Sequence, residues 1–476
     1  MRNLPRPPGP RGAPGPHHAP APPGTAPAPP GAGPGAAPRR TVLRWAAGAG
    51  VLATTGTASA CASSRPASVR TSGPVNLSLW THDQGYQDFF TSAVPRADRA
   101  TPFTYRLRVT RAGAQDLVTK LLAQAVAGRG TPDVMGFEIG NYARMLRGDL
   151  SARLLRDWTQ DVAPLGDDLL PARRAPYTVD GRLYALDSDT PVTVYYYRDD
   201  LLSEYGIPVD IGTWEELARA GEKLYRKHRV SLGAVATGSD LNQVVQVFAI
   251  LLYQRGGALF DARQQITLDS PEAEETLRFI CDGLRSGFLV DVADFYGPSM
   301  QTALKRGSVA GLWMASWYKT FGLQPNVPEQ SGRWRIRALP RFSAGGSRTS
   351  VAGGTGFTAI TGKANTMAGA DFLRATWLTK EAQVRRYREL GYLPTRRSVF
   401  RNPELLALED EFCGGQRLFE VYAPLADHVP AYYQSPDQSI LTDVLSGYLI
   451  RAYRGDLSPR EALRRATSDF RAQASR

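Results

Sequence analysis

Acidic and aromatic side chains stand directly after several predicted strands of this chain. Asp83 follows the alternating apolar and polar run 75–80, and Glu138 ends the apolar run 131–137. Trp317 lies just past a third predicted strand. Carboxylates accept charge-assisted hydrogen bonds and indoles cover apolar faces, so these residues suit non-covalent capture of a polar molecule. In open α/β sheets, ligands bind at the carboxyl ends of the strands, which is where these side chains are expected.

Each candidate also has a purely structural interpretation. Asp83 suits the N-cap of the helix that follows it. Tyr142, one turn after Glu138, either adds a ring to the site or packs in a core. Trp313 and Trp317 bracket one strand end, and only one of the two indoles is expected to face a ligand. Trp317 is the preferred candidate because it is the one beyond the strand.

Strand and helix patterns alternate through most of the chain. A capping-box pattern at Thr213 and Glu216 predicts one helix start, and Gly256-Gly257 predicts one helix stop. Strands separated by helices of this length indicate parallel, doubly wound sheets. The predicted strands are 75–80, 104–110, 131–137, 192–197 and 308–314, and the predicted helices are 116–127, 142–150, 213–226, 243–255, 272–284, 300–305, 371–390 and 459–473.

Composition argues against several other classes of protein. The chain contains no CxxC or HExxH motif and no clustered histidines, so a structural zinc or metalloprotease site is not supported and no cofactor is predicted. The formal charge is +12, but six of these charges lie in the first 60 residues and the rest are dispersed, which disfavours nucleic acid as a partner. Cys281 fits a buried helical position, while a disulfide to Cys413 stays open.

The N-terminal region has the pattern of an export signal. Residues 1–38 are rich in Pro, Ala and Gly, which predicts disorder, or sequence ahead of a later start. Arg39-Arg40 precedes a short weakly apolar run, and the motif resembles a twin-arginine signal. Cys61 follows Ala58-Ser59-Ala60 and resembles the acylated cysteine of a lipoprotein lipobox. An ordinary basic flank and general signal peptidase cleavage remain alternatives, but every version predicts a protein that works outside the cytoplasm.

Motifs later in the chain occur in an order typical of one family. The most specific block combines Tyr197-Arg198-Asp199, Tyr205-Gly206-Ile207 and Thr213-Trp214-Glu215-Glu216-Leu217. Over residues 75–470 the chain resembles the extracellular solute-binding proteins of carbohydrate ABC importers, the maltose-binding-protein-like group. Further matching segments are residues 79–83, 131–134, 181–186, 311–317, 353–357 and 391–396.

The resemblance implies a two-lobed α/β fold of the periplasmic-binding-protein type. After a leader over 1–60 and a lipid-anchor tether over 61–74, the implied divisions are lobe I at 75–186 and 355–385, lobe II at 193–349 and 386–476, and hinge crossings at 187–192 and 350–357. It also implies a monomeric, non-catalytic binder of a sugar or oligosaccharide. The implied partners are ABC permease subunits and the membrane, reached through an N-terminal lipid on the outer face of the cell.

The resemblance adds further residues to the candidate site. Asp187 and Asp189 fall at the first crossing, where a carboxylate would face the cleft, although Asp189 precedes Thr190-Pro191 and also suits a turn. Gly353 and Gly354 at the second crossing either lend backbone N–H groups or only permit bending. Tyr392 would rim the cleft.

Three other functions stay open at this point. The tyrosines at 195–197 resemble those of ferric-ion binders, but consecutive tyrosines on a strand point to opposite faces. Glu138 and Asp187 could imitate the carboxylate pair of a secreted glycosidase. A non-sugar solute such as a polyamine, a peptide or a metal would suit the same two-lobed architecture.

Overall fold

The computed structural model describes residues 68–474. The predictions for the leader, for the twin arginines and for Cys61 lie outside the described residues. Within residues 68–474, every helix is too short or too polar to cross a lipid bilayer.

Twelve strands and eighteen helices are described. Up to the first crossing they are β1 Gly73–Thr81, α1 Gln84–Ala100, β2 Phe103–Arg111, α2 Ala114–Val126, β3 Val134–Glu138, α3 Ile139–Tyr142, α4 Leu150–Leu154, α5 Thr159–Val162, α6 Pro171–Arg174, β4 Thr178–Val179, β5 Arg182–Leu183 and β6 Leu186–Asp187. Next come β7 Thr193–Arg198, α7 Asp199–Glu204, α8 Trp214–His228, β8 Gly233–Ala236, α9 Leu241–Arg255, α10 Pro271–Ser286, β9 Leu289–Val292, α11 Pro298–Lys305, β10 Gly311–Ala315, α12 Gln324–Asn326 and β11 Trp334–Ala338. The last are β12 Thr355–Ala359, α13 Thr366–Leu373, α14 Lys380–Leu390, α15 Pro403–Leu406, α16 Leu418–Ala426, α17 Gln438–Tyr453 and α18 Pro459–Ala474.

The first sheet has the strand order β2-β1-β3-β12-β6. β1 runs parallel to both β2 and β3, with Leu79 opposite Val134, and β12 pairs antiparallel with β3 and with β6. The carboxyl ends of β1 and β3 therefore lie side by side at one edge of the sheet, which is the edge where a ligand is expected.

The second sheet is antiparallel, with β7 between β10 and β11. The parallel, doubly wound pattern thus applies to β1, β2 and β3 and to the separate β8-β9 pair, but not to β7 and its neighbours. All three tyrosines of β7 are buried, and the Tyr195 hydroxyl donates to the Leu232 carbonyl at 2.8 Å. The Tyr196 hydroxyl donates to the Ala315 carbonyl at 2.9 Å. Hydroxyls held in this way by a core strand are not available to ferric iron.

Two separate hydrophobic cores divide the described chain. One core, here lobe I, runs from Val75 to Leu186 and from Phe357 to Trp377. The other, here lobe II, is built mainly from residues 192–352 and 393–470. The resemblance implied that lobe II resumes at residue 386, whereas the cores place this boundary a few residues later. Helix α14 contacts the lobe II core through Tyr387 and the lobe I core through Leu390, and Tyr392 after the helix packs in lobe I.

The helix ends agree with the sequence prediction where the local signal is strong and differ from it where the signal is weak. Thr213 and Glu216 form a full capping box at α8, and Gly256 ends α9 in the left-handed conformation. The helix predicted over 142–150 is wrong, because Gly148 takes a positive φ of 55° and only short helical turns form. The helix predicted over 371–390 is broken by a π-helical turn over 374–378 and restarts at Thr379, whose side chain caps α14.

The disulfide alternative is not realised in the described chain. Cys281 and Cys413 are both free and buried. Cys281 lies in α10 as predicted, and burial raises the pKa of its thiol to about 11, so it behaves as a small apolar side chain.

Candidate functional site

Two carboxylates meet at the edge formed by β1 and β3. Asp83 caps α1, and its Oδ1 accepts from the Tyr86 backbone N–H at 3.2 Å. Glu138 caps α3, and its Oε2 accepts from the Asn141 backbone N–H at 3.1 Å and from the Asn141 side-chain amide at 2.8 Å. Both side chains are half-buried. The N-cap role and the position at the strand ends therefore coexist, since in each carboxylate a single oxygen makes the capping bonds.

His82 interacts electrostatically with both carboxylates. Burial lowers the pKa of its imidazole, and the negative charges of Glu138 and Asp83 oppose that shift without reversing it. The ring is therefore neutral near pH 7 and presents one donor and one acceptor nitrogen. Its buried Nδ1 has no hydrogen-bond partner within the described chain, which leaves this atom free to bind a polar group.

Trp317 lies beyond the end of β10, where the two cores approach each other. Its indole contacts hydrophobic residues of both cores, and its Nε1 donates to the Ala352 carbonyl at 3.2 Å. The Tyr296 ring is nearly parallel to the indole, at 19° with 6.4 Å between the centroids. The indole is half-buried. An anchored, partly exposed aromatic surface of this kind can stack against an apolar ligand face.

A second aromatic group joins the lobes beside the first crossing. The Tyr392 ring lies between Tyr86, at 5.2 Å, and Phe321, at 5.5 Å, with interplanar angles of 20° and 23°. Phe321 belongs to a π-helical turn that follows β10 but packs against the lobe I core. Tyr392 is 9% exposed. Its ring is therefore mostly committed to this stack and offers a ligand only its edge.

A segment between α16 and α17 also reaches from lobe II to lobe I. Tyr432 packs against both cores. The Gln434 side-chain amide donates to the Ile139 carbonyl, and Arg147 forms an ion pair with Asp437. Ile139 directly follows Glu138, so these cross-lobe contacts lie beside the Glu138 carboxylate.

The carboxylates of the first crossing are in a different environment. Asp187 pairs with Arg173, both side chains are almost fully buried, and its other oxygen accepts from the Ser188 backbone N–H at 2.7 Å. Asp187 therefore has no oxygen free for a ligand. Asp189 accepts from the Ser188 hydroxyl at 2.8 Å, and its Oδ2 is buried without a partner within the described chain. Asp189 stays a candidate, whereas Asp187 supports the hinge.

The glycines of the second crossing are required by conformation and space. Gly353 and Gly354 have φ of 76° and 134°. A Cβ on Gly354 would lie 2.8 Å from Arg173 Nη2, and one on Gly353 would lie 3.3 Å from the Trp317 ring. Gly354 O accepts from the Ile139 N–H at 3.0 Å. The crossing therefore contacts both the hinge ion pair and the indole of the candidate site.

Two predicted site residues are placed in the cores instead. Tyr142 is fully buried in lobe I, where its ring packs edge-on against Phe137 and Tyr177. Trp313 is 1% exposed in lobe II and packs against Trp214 at 5.3 Å. On a strand the residues before the end are covered by the neighbouring elements, so Trp313 has no open face. The candidate site excludes both.

Sequence reasoning missed three residues of this site, namely His82, Tyr432 and Gln434. His82 adjoins the predicted Asp83, and its position after β1 was a usable signal. Tyr432 and Gln434 come from a segment without regular structure, and only the tertiary fold brings them to the cleft. No local pattern in the sequence marks them.

This arrangement suits the non-covalent binding of a polar solute. Hydrogen-bond acceptors, namely neutral His82 and the carboxylates Asp83 and Glu138, lie on the lobe I side. The aromatic rings of Trp317 and Tyr432 come from the lobe II side. No group of three or more His, Cys, Asp or Glu side chains within residues 68–474 is arranged to hold a metal ion. The fold and site define a two-lobed binding protein. The chain belongs to the family of bacterial extracellular solute-binding proteins, whose family model matches residues 105–384.

Similar proteins include one from Bacillus subtilis strain 168 called arabinooligosaccharide-binding protein. It is 24% identical over 414 residues, which cover 84% of this chain and 93% of that protein. Among solved structures, the cyclic alpha-maltosyl-1,6-maltose binding protein of Arthrobacter globiformis matches with a TM-score of 0.70 and 20% identity over 84% of this chain and 99% of that one. The GacH receptor of Streptomyces glaucescens matches with a TM-score of 0.66 and 21% identity over 85% and 98%.

Proposed function

We propose that this protein captures a sugar or oligosaccharide outside the cell and delivers it to an ABC importer. The observation that carries the proposal is that neutral His82 interacts with Glu138 and Asp83 on lobe I, while the half-buried Trp317 and Tyr432 contact the cores of both lobes. Sugars present hydroxyls and apolar C–H faces, which need planar hydrogen-bonding groups and aromatic surfaces. The names of the similar proteins, which refer to oligosaccharides, support the same class of solute.

Capture follows from a population shift. A solute that touches Glu138 on lobe I and Trp317 on lobe II binds the closed form better than the open form, so it favours closure. Gly353 and Gly354 supply the backbone freedom at one crossing. No chemical step is required, and the protein is proposed as a non-catalytic monomer that acts with permease subunits.

A thermal-shift screen over neutral mono- and oligosaccharides tests the solute class. Arabinose, arabino-oligosaccharides, maltose and maltotriose form the first panel, with a polyamine and a short peptide as the non-sugar arm. A sugar at 100 times its Kd should raise the free energy of unfolding by about 2.7 kcal/mol. A shift only with the polyamine or peptide would replace the sugar proposal. Release of smaller sugars from the bound ligand would contradict the non-catalytic part.

Small-angle scattering tests the closure itself. With the sugar found in the screen at saturation, the radius of gyration should be smaller than without it. An unchanged radius would contradict closure while leaving solute capture in place.

Attachment to the membrane through Cys61 is part of the proposal. The export pattern ahead of Cys61 and the extracellular character of the family support it. Cys61→Ser should move the protein from the membrane fraction to the medium, whereas Cys281→Ser should not. If the Cys61→Ser protein stays in the membrane fraction as wild type does, the lipid anchor is wrong.

A further inference from the structure

A second pocket, of about 580 Å³, opens on lobe II between the loop that follows β11 and helix α16. No residue of the candidate cleft lines it. Its apolar wall is formed by Ala338, Val421, Pro424 and Leu425, and its polar lining includes Arg341, Arg348, Glu420 and His428. Pockets of roughly 300–1,000 Å³ with apolar walls and a few polar groups commonly bind small molecules. The pocket therefore has the size and surface of a ligand site.

The wall that carries both arginines is held by backbone hydrogen bonds. The Arg341 carbonyl accepts from the Trp214 N–H and the Arg348 carbonyl from the Leu339 N–H, each at 2.9 Å. Between them Ser347 N–H donates to the Gln254 carbonyl at 2.9 Å. Gly346, at φ 97°, packs so tightly that a Cβ would lie 2.7 Å from that carbonyl. The loop is thus fixed before any ligand arrives, which lowers the entropic cost of binding.

The charge of the pocket is not neutralised within the described chain. Arg341 and Arg348 are exposed, and neither guanidinium has an ion-pair or hydrogen-bond partner among residues 68–474. Glu420, the carboxylate on the pocket lining, is already paired with Arg417 at 3.6 Å. Two free guanidiniums beside an apolar wall complement an anionic group attached to an apolar body.

We propose that this pocket binds an organic anion, with a carboxylate, sulfate or phosphate at Arg341 and Arg348 and an apolar body against Val421 and Leu425. The chain's own leader does not fit as the occupant, because its first 60 residues contain six arginines and no acid. The anion can come from a lipid headgroup or from a soluble metabolite, since both share this chemistry. The site is independent of the sugar cleft.

Calorimetric titration of the full chain with naphthalene-1-sulfonate tests the site, with the neutral 1-naphthalenemethanol as the matched ligand. The sulfonate should bind with one site per chain, and the neutral analogue should bind at least about tenfold more weakly. In the double variant Arg341→Gln/Arg348→Gln the Kd for the sulfonate should rise at least about tenfold. The double variant Arg263→Gln/Arg454→Gln removes the same charge from exposed, unpaired positions elsewhere in lobe II and should bind as wild type does.

The source of the anion is separated by two further ligands. Phenyl phosphate represents a soluble metabolite, and dihexanoyl phosphatidic acid, used below its micellar concentration, represents a lipid headgroup. Whichever binds more tightly in wild type and is weakened by the double variant at Arg341 and Arg348 identifies the source. The proposal is overturned if none of the anions binds, if the Arg263/Arg454 variant loses affinity equally, or if a cleft sugar displaces the sulfonate.

Discussion

Two pairs of carboxylates were expected to face the solute, and they occupy opposite environments. Asp83 and Glu138 are half-buried N-caps whose partners are nearby backbone and amide groups. Asp187 and Asp189 are 6% and 1% exposed, and Asp187 pairs with a buried arginine. The first pair can exchange water for sugar hydroxyls at little cost, because it stays partly hydrated. Asp187 is already committed to the hinge, whereas Asp189 keeps one buried oxygen without a partner among residues 68–474.

The difference shows that position at a strand end or crossing does not by itself define a ligand contact. What separates the pairs is the presence of a buried cation, Arg173, that reaches Asp187 from α6. A buried charge requires such a partner, whereas an N-cap carboxylate is satisfied by backbone N–H groups and keeps an oxygen free. The environment thus assigns Asp187 to the stability of the hinge and leaves Asp83 and Glu138 as candidates for binding.

The largest expected effect comes from breaking the hinge ion pair. Asp187→Ala leaves Arg173 buried without its counter-charge, so the free energy of unfolding should fall by about 3–5 kcal/mol. Chemical denaturation of the protein without ligand measures this. The double variant Arg173→Leu/Asp187→Leu removes both charges and should lose clearly less stability. If Asp187→Ala unfolds like wild type but binds sugar poorly, Asp187 is a ligand contact and the comparison between the pairs fails.

Trp313 and Trp317, near β10, allow the same comparison between a buried side chain and a half-buried one. Trp313→Ala opens a cavity in the lobe II core and should cost about 3–5 kcal/mol of stability. Trp317→Ala removes a half-buried surface at the junction and should weaken sugar binding by about 2–4 kcal/mol, with only a small change in unfolding. Calorimetry of binding and of unfolding on both variants checks this. Trp317→Ala with unchanged affinity would remove its indole from the site.

Much of the fold could be predicted because its signals are local. The capping box at Thr213, the glycine stop at Gly256 and the alternation of β1 each act over a few residues. The π-helical turn over 374–378 could not be predicted, because it forms where Trp377 packs among Tyr86, Phe89 and Phe90 of a distant helix. Packing over such distances has no local sequence signature.

The residues of the candidate site could likewise be predicted only where the signal in the sequence is local. Asp83, Glu138 and Trp317 follow strands, so the rule for sheet edges finds them. The family resemblance adds Asp187, because nothing in the local sequence shows that Arg173 will be buried against it. Tyr432 and Gln434 escape the rule, since they lie on an irregular segment whose approach to lobe I depends on the whole fold.

A smaller effect is expected from the cleft carboxylates. Glu138→Gln keeps an oxygen that can cap α3 but loses the charge-assisted bonds to sugar hydroxyls, so binding should weaken by about 1.5–3 kcal/mol. Stability should change little, since Asn and Gln side chains still accept hydrogen bonds from backbone N–H groups. Titration calorimetry on Glu138→Gln and Asp83→Asn, with Asp149→Asn as an exposed control, measures the loss. A large fall in stability without loss of affinity would reassign Glu138 to the fold.

The smallest expected effect is a pH dependence of stability that comes from His82 in the cleft. Burial lowers the pKa of His82 below its ordinary value, so on acidification from pH 7.5 to 5 the unfolded chain takes up that proton first and the folded state loses stability.

A single variant tests this contribution. Relative to wild type, His82→Gln should lose less stability between pH 7.5 and pH 5, because the destabilising protonation of the unfolded chain is gone. Denaturant unfolding of both proteins at the two pH values measures the difference. Parallel pH profiles for the two proteins would show that His82 does not titrate differently on folding, and its buried, neutral state in the cleft would be wrong.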